Sequence, residues 1–298
     1  MTTPLRPGQM LLVSGFDPAG GERGGVFGWD GRDLTCLDTR STTGLRNAAG
    51  VLLQCGWMAG SDHSELRVSD TRGTVTQAHL DDVGNPHDVI SVGGLVAVVA
   101  TAQNQVAWFR SDGDRIRTWQ AQGEPDSWHL NSLVLHRSRL LACAFGRFRR
   151  RKEWDMLGRP ASGCLFDVES GSTILGGLRA PHTPRFHAGS WLVCNSADQA
   201  LVQCSADGRR QVLATFPGWP RGLVITPDAV FIGVSPPRHA VYNAGVSSSV
   251  VLLDPVSWQV ITEFAVPVRE IYDLELVPVG LARGLAAGRR AVLHLSGR

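Results

Sequence analysis

A short two-strand unit recurs along this chain, and this repetition constrains the fold more than any other feature. Each unit has a polar or His-containing start, a short apolar strand, a turn and a second apolar strand. The copy from His87 to Ala100 aligns without a gap with the copy that begins at His182. Weaker copies begin near Thr43, His129, Arg221 and Tyr272.

The distance between these copies predicts the architecture. The starts at 43, 87, 129, 182, 221 and 272 lie 44, 42, 53, 39 and 51 residues apart, the range of a four-stranded propeller blade. Further short apolar segments lie between the copies and are separated by Asp-Gly turns. Thirty-four glycines with only 19% charged residues also favour strands and turns over helices. We therefore predict an all-β protein, a six-bladed β-propeller that forms one domain over residues 1–298.

The two ends of the chain bear on how the ring closes. Too few residues follow Tyr272 for a complete blade, whereas the N-terminal segments 26–29 and 34–37 carry no His-type start. We predict that N-terminal strands complete the last blade, which removes an exposed sheet edge. No long helix is predicted. The longest insertions are expected at 146–162 and 236–248.

Bulk properties narrow the classes of function. The first apolar run, residues 10–13, is too short for a signal peptide or a membrane span, so the sequence predicts a cytoplasmic protein. A net charge of +2 does not predict a nucleic-acid-binding protein. The basic run from Arg147 to Lys152 is interpreted as a solvated loop, with a clamp for an anionic ligand or RNA as the alternative. Six cysteines without a Cys-x-x-Cys pair are predicted to be buried free thiols.

Four local patterns within residues 81–278 carry a family resemblance: 128–133, 181–187, 217–223 and 270–273. In this order and spacing, the chain resembles an uncharacterised family of bacterial propeller proteins, which residues 1–80 match only loosely. The Pro-His-Asp start at Pro86 is similar, more distantly, to NHL-repeat, gluconolactonase-type and streptogramin-lyase-type propellers. The resemblance implies a propeller but no reaction. Metal ligands line the channel in the distant relatives, and their ligand sets do not match this sequence residue by residue.

Equivalent positions in propeller blades converge on the central channel, so the repeat alignment brings distant residues together. These residues are His87 and Asp88, His129 and Asn131, His182 and Arg185, Arg221, and Tyr272 and Asp273. The histidines at 87, 129 and 182 are predicted ligands of a divalent metal (Zn, Fe, Mn or Ni), with one of the aspartates completing or orienting the set. A hydrogen-bonded channel lining is the alternative. No organic cofactor is predicted.

The remaining candidates have substrate-binding or catalytic roles. Arg185 and Arg221 are predicted to bind a carboxylate, phosphate or sulfate, together with Asn131 and Asp88. Salt bridges to Asp88 or Asp273 across the channel are the alternative for the two arginines. Tyr272 is a predicted proton donor with Asp273 as its orienting carboxylate, and plain packing is the alternative for the tyrosine. His182 and Arg221 are also candidate catalytic groups.

These residues lead to two hypotheses about function. The first is an enzyme of lyase, isomerase or hydrolase type that acts on a small polar or anionic substrate at the channel mouth, with or without the His-bound metal. The second is a non-catalytic propeller module that presents a peptide, a glycan or a partner protein to another enzyme.

Overall fold

The described residues fold into six four-stranded antiparallel sheets, as the blade-length repeats predict. They comprise residues 4–17, 24–57, 64–237 and 247–295 of the computed structural model. The inner strands of neighbouring sheets contact one another in a closed cycle around a central channel. The prediction of an all-β, six-bladed β-propeller is therefore confirmed.

The strands follow one another from the channel to the edge of each blade. Three strands precede blade 1: β1 (Gln9–Phe16), β2 (Gly25–Trp29) and β3 (Leu34–Asp38). Blade 1 consists of β4 (Gly44–Ala48), β5 (Val51–Trp57), β6 (Ser64–Asp70) and β7 (Val75–Leu80), and blade 2 of β8 (Pro86–Val92), β9 (Leu95–Ala100), β10 (Gln105–Phe109) and β11 (Arg115–Gln120). Blade 3 consists of β12 (Leu130–His136), β13 (Arg139–Ala144), β14 (Gly163–Asp167) and β15 (Thr173–Leu178). Blade 4 consists of β16 (Pro181–His187), β17 (Ser190–Asn195), β18 (Ala200–Cys204) and β19 (Arg210–Thr215), and blade 5 of β20 (Trp219–Ile225), β21 (Val230–Ser235), β22 (Ser248–Leu253) and β23 (Val260–Val266). The final strand is β24 (Glu270–Pro278).

Blade 6 closes the ring with strands from both ends of the chain. Its order from the channel outward is β24, β1, β2 and β3, and β1 pairs with β24 from Gln9↔Pro278 to Phe16↔Glu270. The prediction that N-terminal strands complete the last blade is confirmed. Because β1, β2 and β3 pair in succession outside β24, the last inner strand becomes part of a complete four-stranded blade.

Apolar side chains fill the interfaces between neighbouring blades. The strand β10 shows how one segment serves two of them. Val106 and Trp108 pack in a cluster with blade 3, whereas Ala107 and Phe109 pack in a cluster with blade 1. Successive side chains of a strand face opposite sides of its sheet, so a continuous apolar run is required wherever both sides are buried. Five of the six cysteines are buried in such positions, and Cys36 is exposed.

A C-terminal helix corrects the prediction that the chain has no long helix. A short helix, α1 (Glu153–Met156), lies in the insertion between β13 and β14, and α2 (Val279–Leu295) follows β24 directly. Leu281, Ala282 and Leu285 of α2 are buried in the cluster between blades 6 and 1. The sequence of α2 is rich in Ala, Leu and Gly and follows a strand without a break, which is why its helical period was not recognised.

Candidate functional site

The candidate residues lie along the inner strands, which run from one end of the channel to the other. We call the end where the inner strands begin the His mouth and the end where they finish the Arg mouth. In blades 2 to 5 the pairing of the inner strand shifts in register close to its start. Such bulges re-aim side chains and are common next to functional sites.

Side-chain hydrogen bonds join neighbouring inner strands just inside the His mouth. Asp88 Oδ2 accepts from the backbone N–H of Leu133 at 2.7 Å. Ser132 Oγ accepts from Thr183 N–H at 3.0 Å, and Thr183 Oγ1 accepts from Gly222 N–H at 3.0 Å. These bonds satisfy backbone groups that the bulges leave outside the sheet ladders. Asp88, a predicted substrate-binding residue, is thus also a connector between blades 2 and 3.

The three predicted histidines meet at the His mouth and are buried there. The ring centroids of His87 and His129 are 5.2 Å apart. The ring of Phe145 lies against both His129, at 4.3 Å, and His182, at 5.3 Å. Tyr272 completes the row, because its ring centroid is 5.3 Å from that of His87. Residues from blades 2, 3, 4 and 6 therefore surround one small volume.

The repeat alignment is off by two residues in blade 3. The residues that follow the first paired position of the inner strand are His87 in blade 2, Asn131 in blade 3 and His182 in blade 4. His129 lies just before β12 with a φ of 50°, a left-handed conformation that is uncommon outside glycine. The amide of Asn131 bonds to the carbonyl of His129 at 3.2 Å and to Ser132 Oγ at 2.8 Å. His129 thus reaches the site from outside the repeat register.

His87 and His182 each place Nδ1 against a hydroxyl group of the neighbouring strand connection, and these contacts orient both rings. Nδ1 of His182 faces the carbonyl oxygen of Ala180 at 3.0 Å and Ser196 Oγ at 2.8 Å, while Ser196 Oγ itself donates to the carbonyl of Pro220 at 2.6 Å. In blade 2, His87 Nδ1 meets Thr101 Oγ1 at 2.8 Å. Because a carbonyl oxygen only accepts, the hydrogen of the neutral His182 imidazole is on Nδ1 and its lone pair is on Nε2.

An insertion covers the His mouth, and we call residues 146–162 the Trp154 lid. The Trp154 ring centroid is 4.2 Å from that of His129, and its indole N–H donates to the carbonyl of Asp126 at 3.0 Å. Asp126 Oδ1 also accepts from His129 Nδ1 at 2.7 Å. Arg179 of blade 4 fastens the lid through the carbonyl of Arg159 at 3.0 Å. The predicted insertion therefore covers His129. The second predicted insertion, 236–248, lies largely outside the described residues.

Arg221 and Glu270 form a buried ion pair beside the histidines. Arg221 Nη1 donates to Glu270 Oε2 at 2.8 Å, and the guanidinium carbon lies 5.0 Å from the centroid of the Tyr272 ring. Burial alone would lower the pKa of Arg221, but the Glu270 carboxylate and the Tyr272 hydroxyl outweigh it and raise that pKa. Arg221 thus pairs with Glu270, not with the aspartates that the sequence alternative named.

The pKa of His182 is lowered well below its usual value. Burial is the largest cause, and the positive charge of Arg221 and the neighbouring imidazoles add to it. His182 is therefore neutral at pH 7. A neutral imidazole with a fixed Nδ1–H is suited to accept a proton on Nε2.

A second charged group lies deeper in the channel, towards the Arg mouth. Arg46 Nη2 contacts Asp88 Oδ1 at 3.3 Å and Asp273 Oδ2 at 3.4 Å, and its Nη1 contacts Glu275 Oε2 at 3.4 Å. Arg185 Nη2 lies 3.7 Å from Asp273 Oδ1. The predicted substrate-binding arginines 185 and 221 are thus in different layers, and the Asp273 carboxylate faces Arg46 and Arg185.

Burial dominates the electrostatics of this second group. It raises the pKa of Asp273 to about 7, with Arg46 and Arg185 opposing and the other carboxylates adding to the shift. Burial and the charge of Arg46 lower the pKa of Arg185, whereas three carboxylates hold the pKa of Arg46 above its usual value. The network thus contains one carboxyl group that titrates near neutral pH.

The predicted metal site does not fit the side chains in place. Among the described residues, no group of three or more His, Cys, Asp or Glu side chains is positioned to hold a metal ion. The aromatic ring of Phe145, which cannot ligate a metal, lies against both His129 and His182. We therefore derive no step through a metal.

The sequence analysis missed Arg46 and Glu275, although the repeats contain the signal for both. Arg46, Arg185 and Glu275 each lie three residues after a repeat start, at 43, 182 and 272. Charged side chains at one repeat position should have been grouped as a ring. No comparable signal marks Glu270 or Trp154, because neither belongs to a position that recurs in the repeats.

A family comparison places this architecture among known sequences. The profile of the family described as Domain of unknown function (DUF4915) matches residues 68–283, well over half of the chain. The protein belongs to the DUF4915 family. The resemblance to an uncharacterised propeller family is thereby confirmed. No curated protein matches the sequence.

Solved structures share the fold of this DUF4915 protein at low sequence identity. The nidogen/laminin complex contains a chain with 12% identity and a TM-score of 0.66, over 90% of this chain and 98% of that one. The periplasmic gluconolactonase PpgL of Pseudomonas aeruginosa has 16% identity and a TM-score of 0.59, over 90% and 99%. Regucalcin, a calcium-binding protein of Agrobacterium tumefaciens, has 12% identity and a TM-score of 0.55, over 78% and 76%. At these identities the likeness shows the fold alone.

The family assignment leaves the compartment open. In the part of this DUF4915 chain that the structure describes, no helix has both the length and the hydrophobicity that a membrane crossing requires. The cytoplasmic location stays a prediction.

Proposed function

We propose that this protein is a hydrolase that acts on a small polar or anionic substrate inside the His mouth, beneath the Trp154 lid. One observation carries the proposal: His182 and Arg221 are buried at the His mouth, where the Phe145 ring packs against His182 and the Tyr272 ring against Arg221. Lyase or isomerase chemistry would use the same groups. Hydrolysis is favoured because one structural neighbour is a gluconolactonase, whose reaction opens a lactone ring with water.

In the proposed reaction His182 activates water. Nε2 accepts a proton from the water molecule as its oxygen bonds to the acyl carbon, and the ring C–O bond then breaks. The Tyr272 hydroxyl protonates the departing alkoxide, while Arg221 binds an anionic group of the substrate. An anion on Arg221 also cancels a charge that lowers the pKa of His182, so the imidazole becomes a stronger base once substrate is bound.

Substrate entry requires the Trp154 lid to move. The lid is held by Arg179 near one end and, at its middle, by the Trp154 indole and Lys152 backbone N–H groups on the Asp126 carbonyl. Two apolar side chains on it, Met156 and Leu157, are 64% and 56% exposed. Exposed apolar side chains on a lid are also the observation that favours the second hypothesis, a module that docks a peptide, glycan or protein at this face.

A panel of sugar-acid lactones with and without a phosphate group tests the proposal, with acid release followed at constant pH. We expect His182→Asn to lower kcat/KM about 10²–10⁴-fold, as is typical when a proton-transfer group is lost, and Tyr272→Phe to lower kcat. His136→Asn is the matched control, because His136 lies at the far end of β12 against Phe186. Failure of the wild type to hydrolyse any lactone above the uncatalysed rate would reject the hydrolase and favour the docking module.

The metal version of the hypothesis needs its own measurement. Metal analysis of the purified protein, with His129→Ala and His182→Ala alongside, shows whether a divalent ion is bound. Stoichiometric Zn, Fe, Mn or Ni in the wild type, lost in both variants, would replace the metal-free reaction with a metal-assisted one.

A further inference from the structure

The Arg mouth contains a cavity that the proposed reaction does not use. Its volume is about 340 Å³, within the usual range for small-ligand sites. Charged side chains of three blades, Arg46, Arg185 and Glu275, line it together with the partly buried apolar residues Val224 and Leu276. A lining that combines charged and apolar side chains suits a small molecule with one polar end and one hydrocarbon end.

The arginines of this cavity are under-used as hydrogen-bond donors. Charge-assisted N–H···O bonds are usually about 2.7–2.9 Å long, whereas every contact of Arg46 with a carboxylate is 3.3–3.4 Å. Within the described structure, Nε of Arg46 is buried and has no hydrogen-bond partner. Arg185 donates to the carbonyl of Pro184 at 3.2 Å and reaches Asp273 only at 3.7 Å. Both guanidinium groups therefore retain donors for a ligand.

The surrounding charges select a singly charged anion. Arg46 and Arg185 face three carboxyl groups, those of Asp88, Asp273 and Glu275. A dianion such as phosphate would meet three nearby negative charges, whereas a monocarboxylate adds one charge and matches the planar fork of a guanidinium. Even one added charge favours the uptake of a proton by the network.

We propose that the Arg mouth binds a short-chain monocarboxylate, whose carboxylate pairs with Arg185 and whose tail lies against Val224 and Leu276, with uptake of one proton from solvent by Asp273. The site is separate from the His mouth and does not depend on the proposed hydrolysis. Asp273 is the acceptor because its carboxyl group already titrates at about 7.

Other titratable groups surround Asp273. Burial also raises the pKa of Glu275, which contacts Arg46. The Cys143 and Cys194 thiols stay protonated because burial raises their pKa values, that of Cys194 to about 12. His187 lines the cavity and is exposed to solvent.

Calorimetric titration of the full-length protein with acetate, propionate and butyrate tests the proposal. We expect affinity to increase from acetate to butyrate, by up to about fourfold per methylene group buried. Above pH 7 the affinity should fall by up to tenfold per pH unit, and titrations in buffers of different ionisation enthalpy should count close to one proton taken up. Inorganic phosphate should bind more weakly than butyrate.

Three variants locate the site and its proton. Arg185→Gln should abolish butyrate binding, and Asp273→Asn should make the affinity independent of pH and higher at pH 8. Arg117→Gln, an exposed arginine that pairs with Glu169 away from the cavity, should bind butyrate like the wild type. Absence of binding by all three acids, or loss of binding in Arg117→Gln with retention in Arg185→Gln, would overturn the proposal, and neither outcome depends on whether lactones are hydrolysed.

Discussion

The two ends of the channel both bury charged side chains, but they do so in opposite ways. At the His mouth, Arg221 and Glu270 are joined at 2.8 Å and their side chains are only 3% and 5% exposed. At the Arg mouth, Arg46 and Arg185 are 13% and 19% exposed, and their contacts with carboxylates are 3.3–3.7 Å. The short, almost inaccessible pair is fixed, whereas a network with longer contacts and slightly more exposed side chains is able to rearrange around a proton or a ligand.

The two ends also titrate in opposite directions. Burial lowers the pKa of a histidine at one end and raises the pKa of an aspartate at the other, since burial disfavours the charged form in both cases. Folding therefore favours the deprotonated form of His182 at the His mouth and the protonated form of Asp273 at the Arg mouth. Each of the following predictions tests one side of this contrast.

The largest effect is expected from breaking the tight pair. Glu270→Gln removes the negative partner and leaves the buried Arg221 charge uncompensated, so we expect the free energy of unfolding to fall by about 3–5 kcal/mol. Urea denaturation at pH 7 measures this loss. A fall of less than about 1 kcal/mol would show that water reaches Arg221 and that the His mouth is as wet as the Arg mouth.

A smaller effect is expected from the pH dependence of Asp273. An unfolded aspartate titrates near 3.9 and the folded one at about 7, so between these values the folded state holds a proton that the unfolded state has lost. Raising the pH through this window must therefore reduce stability, and the penalty is complete above about pH 7. Compared with Asp273→Asn, the wild type should lose about 1–2 kcal/mol between pH 5.5 and 7 in urea denaturation. An equal pH dependence in both proteins would contradict this assignment.

His182 should give the reverse sign in the same experiment. Its folded pKa lies well below 6.5, so below pH 6.5 the unfolded state binds a proton that the folded state does not, and raising the pH adds stability. Compared with His182→Asn, whose amide N–H still reaches the Ala180 carbonyl, the wild type should gain about 1 kcal/mol between pH 5.5 and 7. If the wild type loses stability instead, the imidazole is charged in the folded protein.

The blades could be predicted from the sequence, whereas the arrangement of charged side chains at the two mouths could not. The blades and their closure were predictable because burial on both sides of a sheet forces apolar runs such as Leu95–Ala100 to recur. The division of the charged side chains into two layers was not predictable, because it depends on partners from other blades. Arg221 pairs with Glu270, whereas Arg185 lies beside Asp273. His129 was misaligned because it enters the site from a left-handed turn outside the repeat. The helix α2 was missed because tertiary packing, not a clear amphipathic pattern, holds it in place.

The smallest effect is expected from Arg185→Gln. This variant breaks an ion pair at the Arg mouth, as Glu270→Gln does at the His mouth. Arg185 is buried less than Arg221, and its ionic contact with Asp273, the one within 4 Å among the described residues, is long. Removing its charge should therefore lower the free energy of unfolding by about 0–1 kcal/mol. The remaining Asp273 carboxyl group takes up a proton once a neighbouring positive charge is gone, which limits the cost further. Urea denaturation at pH 6 and pH 8 separates these contributions, because at pH 6 Asp273 is already mostly protonated in the wild type, whereas at pH 8 it takes up a proton only when Arg185 is absent. A loss of several kcal/mol at both pH values would mean that the Arg mouth is as tightly built as the His mouth, and that its arginines are structural and not ligand-binding.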